Sequence, residues 1–351
     1  MRCVAACLSV LALALSAAQT QAQTDKTSLR LAVGAGWMMT HDSRHSYRNT
    51  PTFGADATLL WRTRGDEYWK QLWRHPSFGI KASFAAIPHG IAGHRLGLTG
   101  MLHFDLAPRW EGQLGAGLSA YTNPFCFSGD SNNIFIGSFI NCLIDLGIAY
   151  HLTNRTSVAL RLLHSSNGML YRPNQGLNYL QLDLACTLGP KRAFHAEPPP
   201  GAPPMETHEV GLALSLGTVM SYNPKQEGYY PCYDLSLNWQ RYLSPRFALG
   251  GTLDFWYNFT DRASVYRTHD LHNVPVYLSG LAFGEIFVGP LSLKAGIGPV
   301  ILVSSSVGIP FYERVGLYYN FPARRHYLGI ALNAHAGRIE FVEWTAGLRL
   351  R

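Results

Sequence analysis

The chain has 351 residues, 47% of them apolar and 12% aromatic, with only 15% charged and a formal net charge of +7. So modest a positive balance, without a basic cluster, excludes a nucleic-acid partner and suits a surface facing anionic lipid headgroups. Beyond the N-terminal segment nothing approaches the roughly 18 uninterrupted apolar residues of a membrane-spanning helix.

Residues 1–22 read as a secretory signal peptide: Met1-Arg-Cys, an apolar run from Val4 to Leu15, then small residues with cleavage points after Ala18 or Ala22. Cys3 and Cys7 leave with it. Cys126, Cys142, Cys186 and Cys232 lack metal-ligand spacing. Cys126 and Cys142 could pair in an oxidising compartment, although Cys142 and Cys186 also fit as small residues on apolar strand faces. An exported, sparsely charged, aromatic-rich chain without a spanning helix predicts an all-β, antiparallel outer-membrane β-barrel.

Sixteen strand-like segments follow in order, each bounded by turn residues. The first eight are 28–38, 52–63, 76–86, 93–106, 109–121, 135–152, 155–166 and 177–189. The second eight are 208–222, 229–243, 245–258, 273–288, 290–305, 310–321, 325–337 and 339–351. In the tenth, Tyr233, Leu235, Leu237 and Trp239 alternate with Asp234, Ser236, Asn238 and Gln240, the period of a one-sided strand. Connections on one side are short (Ala107-Pro108, Thr153-Asn154, Leu243-Ser244-Pro245, Gly289-Pro290) and on the other long, as periplasmic turns and extracellular loops should be. The 64–75 connection is long on the short side and reads as an amphipathic turn at the inner rim.

Residues 190–207, with Pro198-Pro-Pro-Gly-Ala-Pro-Pro204, form a linker between 23–189 and 208–351. The halves echo one another: Gly54-Ala-Asp-Ala-Thr-Leu-Leu-Trp-Arg62 resembles Tyr233-Asp-Leu-Ser-Leu-Asn-Trp-Gln-Arg241, and Ala159-Leu-Arg-Leu-Leu-His164 resembles Ala331-Leu-Asn-Ala-His335. About eight strands per half satisfy two tandem barrels or one barrel of about sixteen.

The chemistry concentrates in Val158-Ala-Leu-Arg-Leu-Leu-His-Ser-Ser-Asn-Gly168. On a strand, His164 and Ser166 share a face with Thr156, Val158, Leu160 and Leu162, at the end of an apolar ladder. A serine hydrolase needs a nucleophile, a base and a group orienting the base. On the next strand Asn178 begins the apolar face, while Asp183 lies opposite and is rejected as the third member.

The run His164-Ser-Ser166-Asn167-Gly168, followed by Pro173-Asn174-Gln-Gly176-Leu-Asn178, resembles the lipid A 3-O-deacylase (PagL-like, acyloxyacyl hydrolase) family in its longer, two-part form. Arg64-Gly-Asp-Glu-Tyr-Trp69 and Asn132-Asn-Ile-Phe-Ile-Gly-Ser138 extend the resemblance upstream. It implies an outer-membrane barrel with a Ser–His–acid triad facing the outer leaflet. Ser166 would then be the nucleophile and His164 the base, with Asn167, Gly168 and Asn174 positioning substrate or the oxyanion. The departure is Asn178, where the best-known members carry Glu. His164, Ser166 and Asn178 also match the spacing of outer membrane phospholipase A, a calcium-dependent enzyme of one twelve-stranded barrel.

The second half lacks the motif, since Gly337 stands where a serine would follow His335. No cofactor and no metal site are expected, calcium entering only under the phospholipase reading. The expected partners are lipid A or lipopolysaccharide of the outer leaflet and the outer membrane itself, with a homodimer left open. The rival of another class is a noncatalytic barrel, channel or anchor.

Overall fold

The computed structural model describes residues 27–39, 50–87, 92–124, 133, 135–167, 176–190, 207–220, 228–258, 276–303, 311–321, 325–335 and 338–350. The expected signal segment, residues 191–206 of the linker, Cys126, Gly168 and Asn174 lie outside them.

Eight antiparallel strands close the first barrel: β1 (Thr27–Met39), β2 (Pro51–Arg62), β3 (Ser77–Ala86), β4 (Arg95–Ala107), β5 (Trp110–Tyr121), β6 (Ile140–His151), β7 (Thr156–Ser166) and β8 (Leu177–Leu188). Closure is the β1–β8 ladder, from Leu29 opposite Leu188 to Met39 opposite Asn178. A second closed barrel comprises β9 (His208–Met220), β10 (Tyr229–Ser244), β11 (Phe247–Asn258), β12 (Val276–Val288), β13 (Leu291–Val303), β14 (Phe311–Asn320), β15 (His326–His335) and β16 (Arg338–Leu350). Its seam is β16 on β9. The single sixteen-stranded alternative is thereby excluded: each set of eight satisfies its own strand edges, leaving none for the other.

Leu160, Leu162, Leu182 and Leu184 of the first barrel, and Leu212, Leu214, Leu235 and Leu237 of the second, lie exposed on the outside. Exposed aromatics mark both rims of the first barrel, Trp37 and Phe53 at one end, Trp61, Phe78 and Trp110 at the other. An apolar belt with aromatic edges is what a bilayer demands of a barrel wall. Cys142 and Cys186 are exposed free thiols on that wall, and Cys232 is buried.

Inside, polar side chains pair. In the first barrel Arg161 reaches Asp56 and Asp183, each at 2.6 Å, and also holds Asp145 with Nε at 3.0 Å. Lys81 donates to Asp145 at 2.8 Å. In the second, Arg314 meets Asp234 at 2.6 Å, Asp254 at 3.1 Å and Glu343 at 3.1 Å. Asp56 and Asp234 occupy matching places in the repeated sequence, and both serve the central guanidinium. Where the first barrel has Arg161 the second has Asn333, which accepts from Arg314 at 3.0 Å. Arg161→Met would strip the guanidinium from Asp56, Asp145 and Asp183, leaving Lys81 on Asp145 and the Gln181 amide on Asp183. We expect a loss of about 3–5 kcal/mol, the usual cost of stripping one partner from a buried ion pair. Urea titration, followed by the gel shift between folded and heated barrel, measures it.

Two local departures from the sequence reading bear on function. Residues 135–139 do not extend the sixth strand, which begins at Ile140. Asn133 Oδ1 accepts the backbone N–H groups of Phe135 and Ile136, both at 3.1 Å, and holds the chain in a turn. The 64–75 connection contains a short helix, α1 (Tyr68–Leu72). Trp73 beyond it is buried edge-on against Phe104, ring centroids 4.9 Å apart.

Candidate active site

On β7, Ser157, Ala159, Arg161, Leu163 and Ser165 are buried inside the barrel, whereas Leu160 and Leu162 are exposed. The alternation carries His164 to the outer face. On β8 the buried set is Leu177, Tyr179, Gln181, Asp183 and Ala185, which leaves Asn178 outward with Leu180, Leu182 and Leu184. His164 and Asn178 are direct cross-strand partners. Their side chains meet: His164 Nδ1 and Asn178 Oδ1 are 2.7 Å apart. With the amide oxygen accepting, Nδ1 carries the proton and Nε2 presents its lone pair. Asp183, inward and bound to Arg161, takes no part.

Ser166 ends β7 on the same face, opposite Cys142 of β6. Gly176 ties it to the imidazole. That residue has φ +71°, and a Cβ built on it would lie 2.9 Å from His164 Cε1 and 3.4 Å from Ser166 Cβ. His164 and Ser166 therefore border one small patch, held open by the missing side chain. Gly176 N–H donates to Phe135 C=O at 3.1 Å, so the 133–138 turn fixes the backbone that enters β8. Gly176→Ala would bring the strain of a left-handed alanine and a contact on the imidazole. We expect kcat to fall roughly tenfold to hundredfold, the scale of an ångström of misplacement, with KM little changed; steady-state ester hydrolysis reads this.

Asn167 Nδ2 donates to Ser138 Oγ at 3.1 Å, and Ser138 Oγ in turn lies 3.0 Å from Asn141 Oδ1. The carboxamide beside Ser166 is thus anchored to the bend before β6. Ser166 is 3% exposed, although its strand face is the outer wall. Gly176, at the approach to β8, lies beside it. Shelter from water favours acyl transfer over side reactions.

Beneath the site the barrel end is packed with Met38, Ile87, Tyr121, Leu143, Leu163 and Tyr179, all buried. The sequence reading missed Ser138 and Gly176 as site residues; the signal for Gly176 was its place two residues before Asn178. In the second barrel Glu343 meets Arg314, and a bulge between Asn333 and Ala334 interrupts the strand that ends at His335.

Residues 46–187 match the lipid A 3-O-deacylase (PagL) family, and residues 208–351 match the acyloxyacyl hydrolase C-terminal domain of the same family. The two matches together span most of the chain. The chain belongs to the lipid A 3-O-deacylase family. No curated relative matches it. Among solved structures, the outer membrane enzyme PagL is 18% identical over 45% of this chain and 98% of its own, with a TM-score of 0.33. Neisserial surface protein A is 14% identical over 46% and 97%, TM-score 0.27. A de novo designed transmembrane β-barrel is 12% identical over 47% and 98%, TM-score 0.28. The barrel architecture rests on the strand ladders themselves. Membership in the deacylase family, with two closed apolar-walled barrels, places the protein in the bacterial outer membrane as a hydrolase of lipid A.

Proposed function

We propose that the first barrel cleaves an ester-linked acyl chain of lipid A in the outer leaflet, with Ser166 as nucleophile, His164 as base and Asn178 orienting His164. The observation that carries this reading is the 2.7 Å contact from His164 Nδ1 to Asn178 Oδ1 on the outer wall. Ser166 Oγ attacks the acyl carbonyl while His164 Nε2 takes its proton. The tetrahedral oxyanion is met by donors about Asn167, Gly168 and Asn174. Collapse expels the sugar hydroxyl, protonated by His164, and leaves an acyl-serine. Water, deprotonated by His164, then frees the fatty acid. A wall set in the bilayer meets the acyl chains of its substrate laterally, so binding needs no deep cavity. Residues 1–22 direct export and are cleaved. The second barrel, without the motif, supports the first.

One residue favours a second reading. Asn178 is the third member expected of outer membrane phospholipase A, and that reading brings calcium and glycerophospholipid substrates. Mass spectrometry of lipid A from cells making the full chain separates the two. The first reading predicts loss of one acyl chain without added calcium. Unchanged lipid A with calcium-dependent fatty-acid release from phospholipid would replace it with the second. Unchanged lipids with ion conductance in planar bilayers would leave a noncatalytic channel, a reading the packed, ion-paired barrel interior disfavours.

A further inference from the structure

The rim of the first barrel opposite His164 carries a partly open cavity of about 110 Å³. Its wall is assembled from strand ends that are far apart in sequence: Arg30 on β1, Arg62 ending β2, Arg74 and His75 after α1, His103 on β4 and His151 ending β6. Two carboxylates share this wall, Asp105 and Glu111. Glu111 is already committed, to Arg30 at 2.7 Å, His103 Nδ1 at 2.8 Å and His151 Nε2 at 3.1 Å. Cationic and imidazole groups therefore outnumber the carboxylates.

Two further observations concern the same wall. His75 Nδ1 and His103 Nε2 are buried nitrogens without a hydrogen-bond partner, and His103 is 4% exposed. Buried polar atoms are almost always satisfied, so two on one cavity point to an absent ligand. Arg74 and His75 also hold successive left-handed backbones, φ 54° and 57°, which residues with a Cβ avoid. Strain of this kind persists where a site over-determines the chain. Burial, and then the charges of Arg62 and Lys70, hold the His75 imidazole below its ordinary range, so the turn sits in a positive field. A metal ion would meet that field as repulsion, and among the described residues no three His, Cys, Asp or Glu side chains group to hold one.

We infer that this cavity binds a small tetrahedral oxyanion of the phosphate class, held by Arg62 and Arg74, with His75 donating to it and His103 Nε2, whose Nδ1 proton goes to Glu111, accepting from the ion's own hydroxyl. The volume admits several water-sized groups, room for such an ion and little more. Guanidinium groups suit phosphate oxygens through charge-assisted bonds. The source is either a free ion or the phosphate of a lipid headgroup reaching the rim.

The test uses the full chain, folded in a maltoside detergent without phosphate. Inorganic phosphate is titrated at constant ionic strength, with chloride as the counterpart, and the thermal midpoint is followed; dihexanoyl phosphatidylglycerol is titrated in parallel. The expected result is a saturable rise in midpoint with inorganic phosphate that chloride does not reproduce. Arg74→Gln and His75→Gly each weaken the apparent Kd by about tenfold or more. His75→Gly also relieves the left-handed backbone, so it tests binding without threatening the fold. A response to the phosphatidylglycerol alone, lost in the same variants, upholds the phosphate chemistry and assigns it to a headgroup. No rise with either probe, an equal rise with chloride, or full binding by both variants overturns the site.

Discussion

Ser166→Ala is expected to lower lipid A ester hydrolysis by about 10⁴-fold or more while the barrel still folds. Strand pairing in the β7 ladder is through the backbone, which alanine keeps. What disappears is the bond-forming atom. His164→Ala should cost nearly as much, and the double variant little more than either, because nucleophile and base act as one unit. Substrate affinity should survive, as the proposed mechanism binds acyl chains on the apolar wall of Leu160, Leu162, Leu182 and Leu184 rather than on Ser166, His164 and Asn178. Acyl release from purified lipid A by reconstituted protein measures the rate, and the shift between folded and heated forms on a gel confirms folding. Additive losses in the double variant would mean that the two residues act separately.

Asn178 carries the second large effect. Its amide oxygen, 2.7 Å from His164 Nδ1, holds the tautomer whose Nε2 lone pair is the proposed acceptor of the serine proton. An amide does this without adding charge, so the imidazolium of the transition state gains only a dipole. A carboxylate at that place would add Coulombic stabilisation. Asn178→Ala should therefore lose about 10²–10⁴-fold in kcat, within the range seen when a triad's orienting member is disabled. Asn178→Glu should match or exceed the native rate. The pair of variants is informative because Glu and Ala move in opposite directions only if position 178 acts through His164. Equal losses in both would make Asn178 a packing residue. Full activity in Asn178→Ala would remove it from the mechanism.

The outward set was legible because the period of a strand is strict. Counting alternate residues from Leu160 places His164 on the wall, and counting back from Leu184 places Asn178 there, with no knowledge of what lies between. The same count turned Asp183 inward, where Arg161 holds it. Eight strands on either side of Pro198–Pro204 left two closures open, and strand pairing decides between them. The bend at 135–138 was not legible: Phe135 and Ile136 read as strand, and the Asn133 side chain, accepting from their backbone N–H groups, diverts them. Nor were the bonds that tie Asn167 to Ser138 and Gly176 to Phe135. The inner-rim cavity likewise joins Arg30, His75 and His151, whose separation in sequence carries no pattern.

The nucleophile itself can be caught. Treatment of the folded full chain with a fluorophosphonate, followed by peptide mass mapping, should place one phosphonate on Ser166, and the adduct should vanish in His164→Ala. Phosphonate on another residue, or an unlabelled Ser166 in protein that still releases acyl chains from lipid A, would contradict the account.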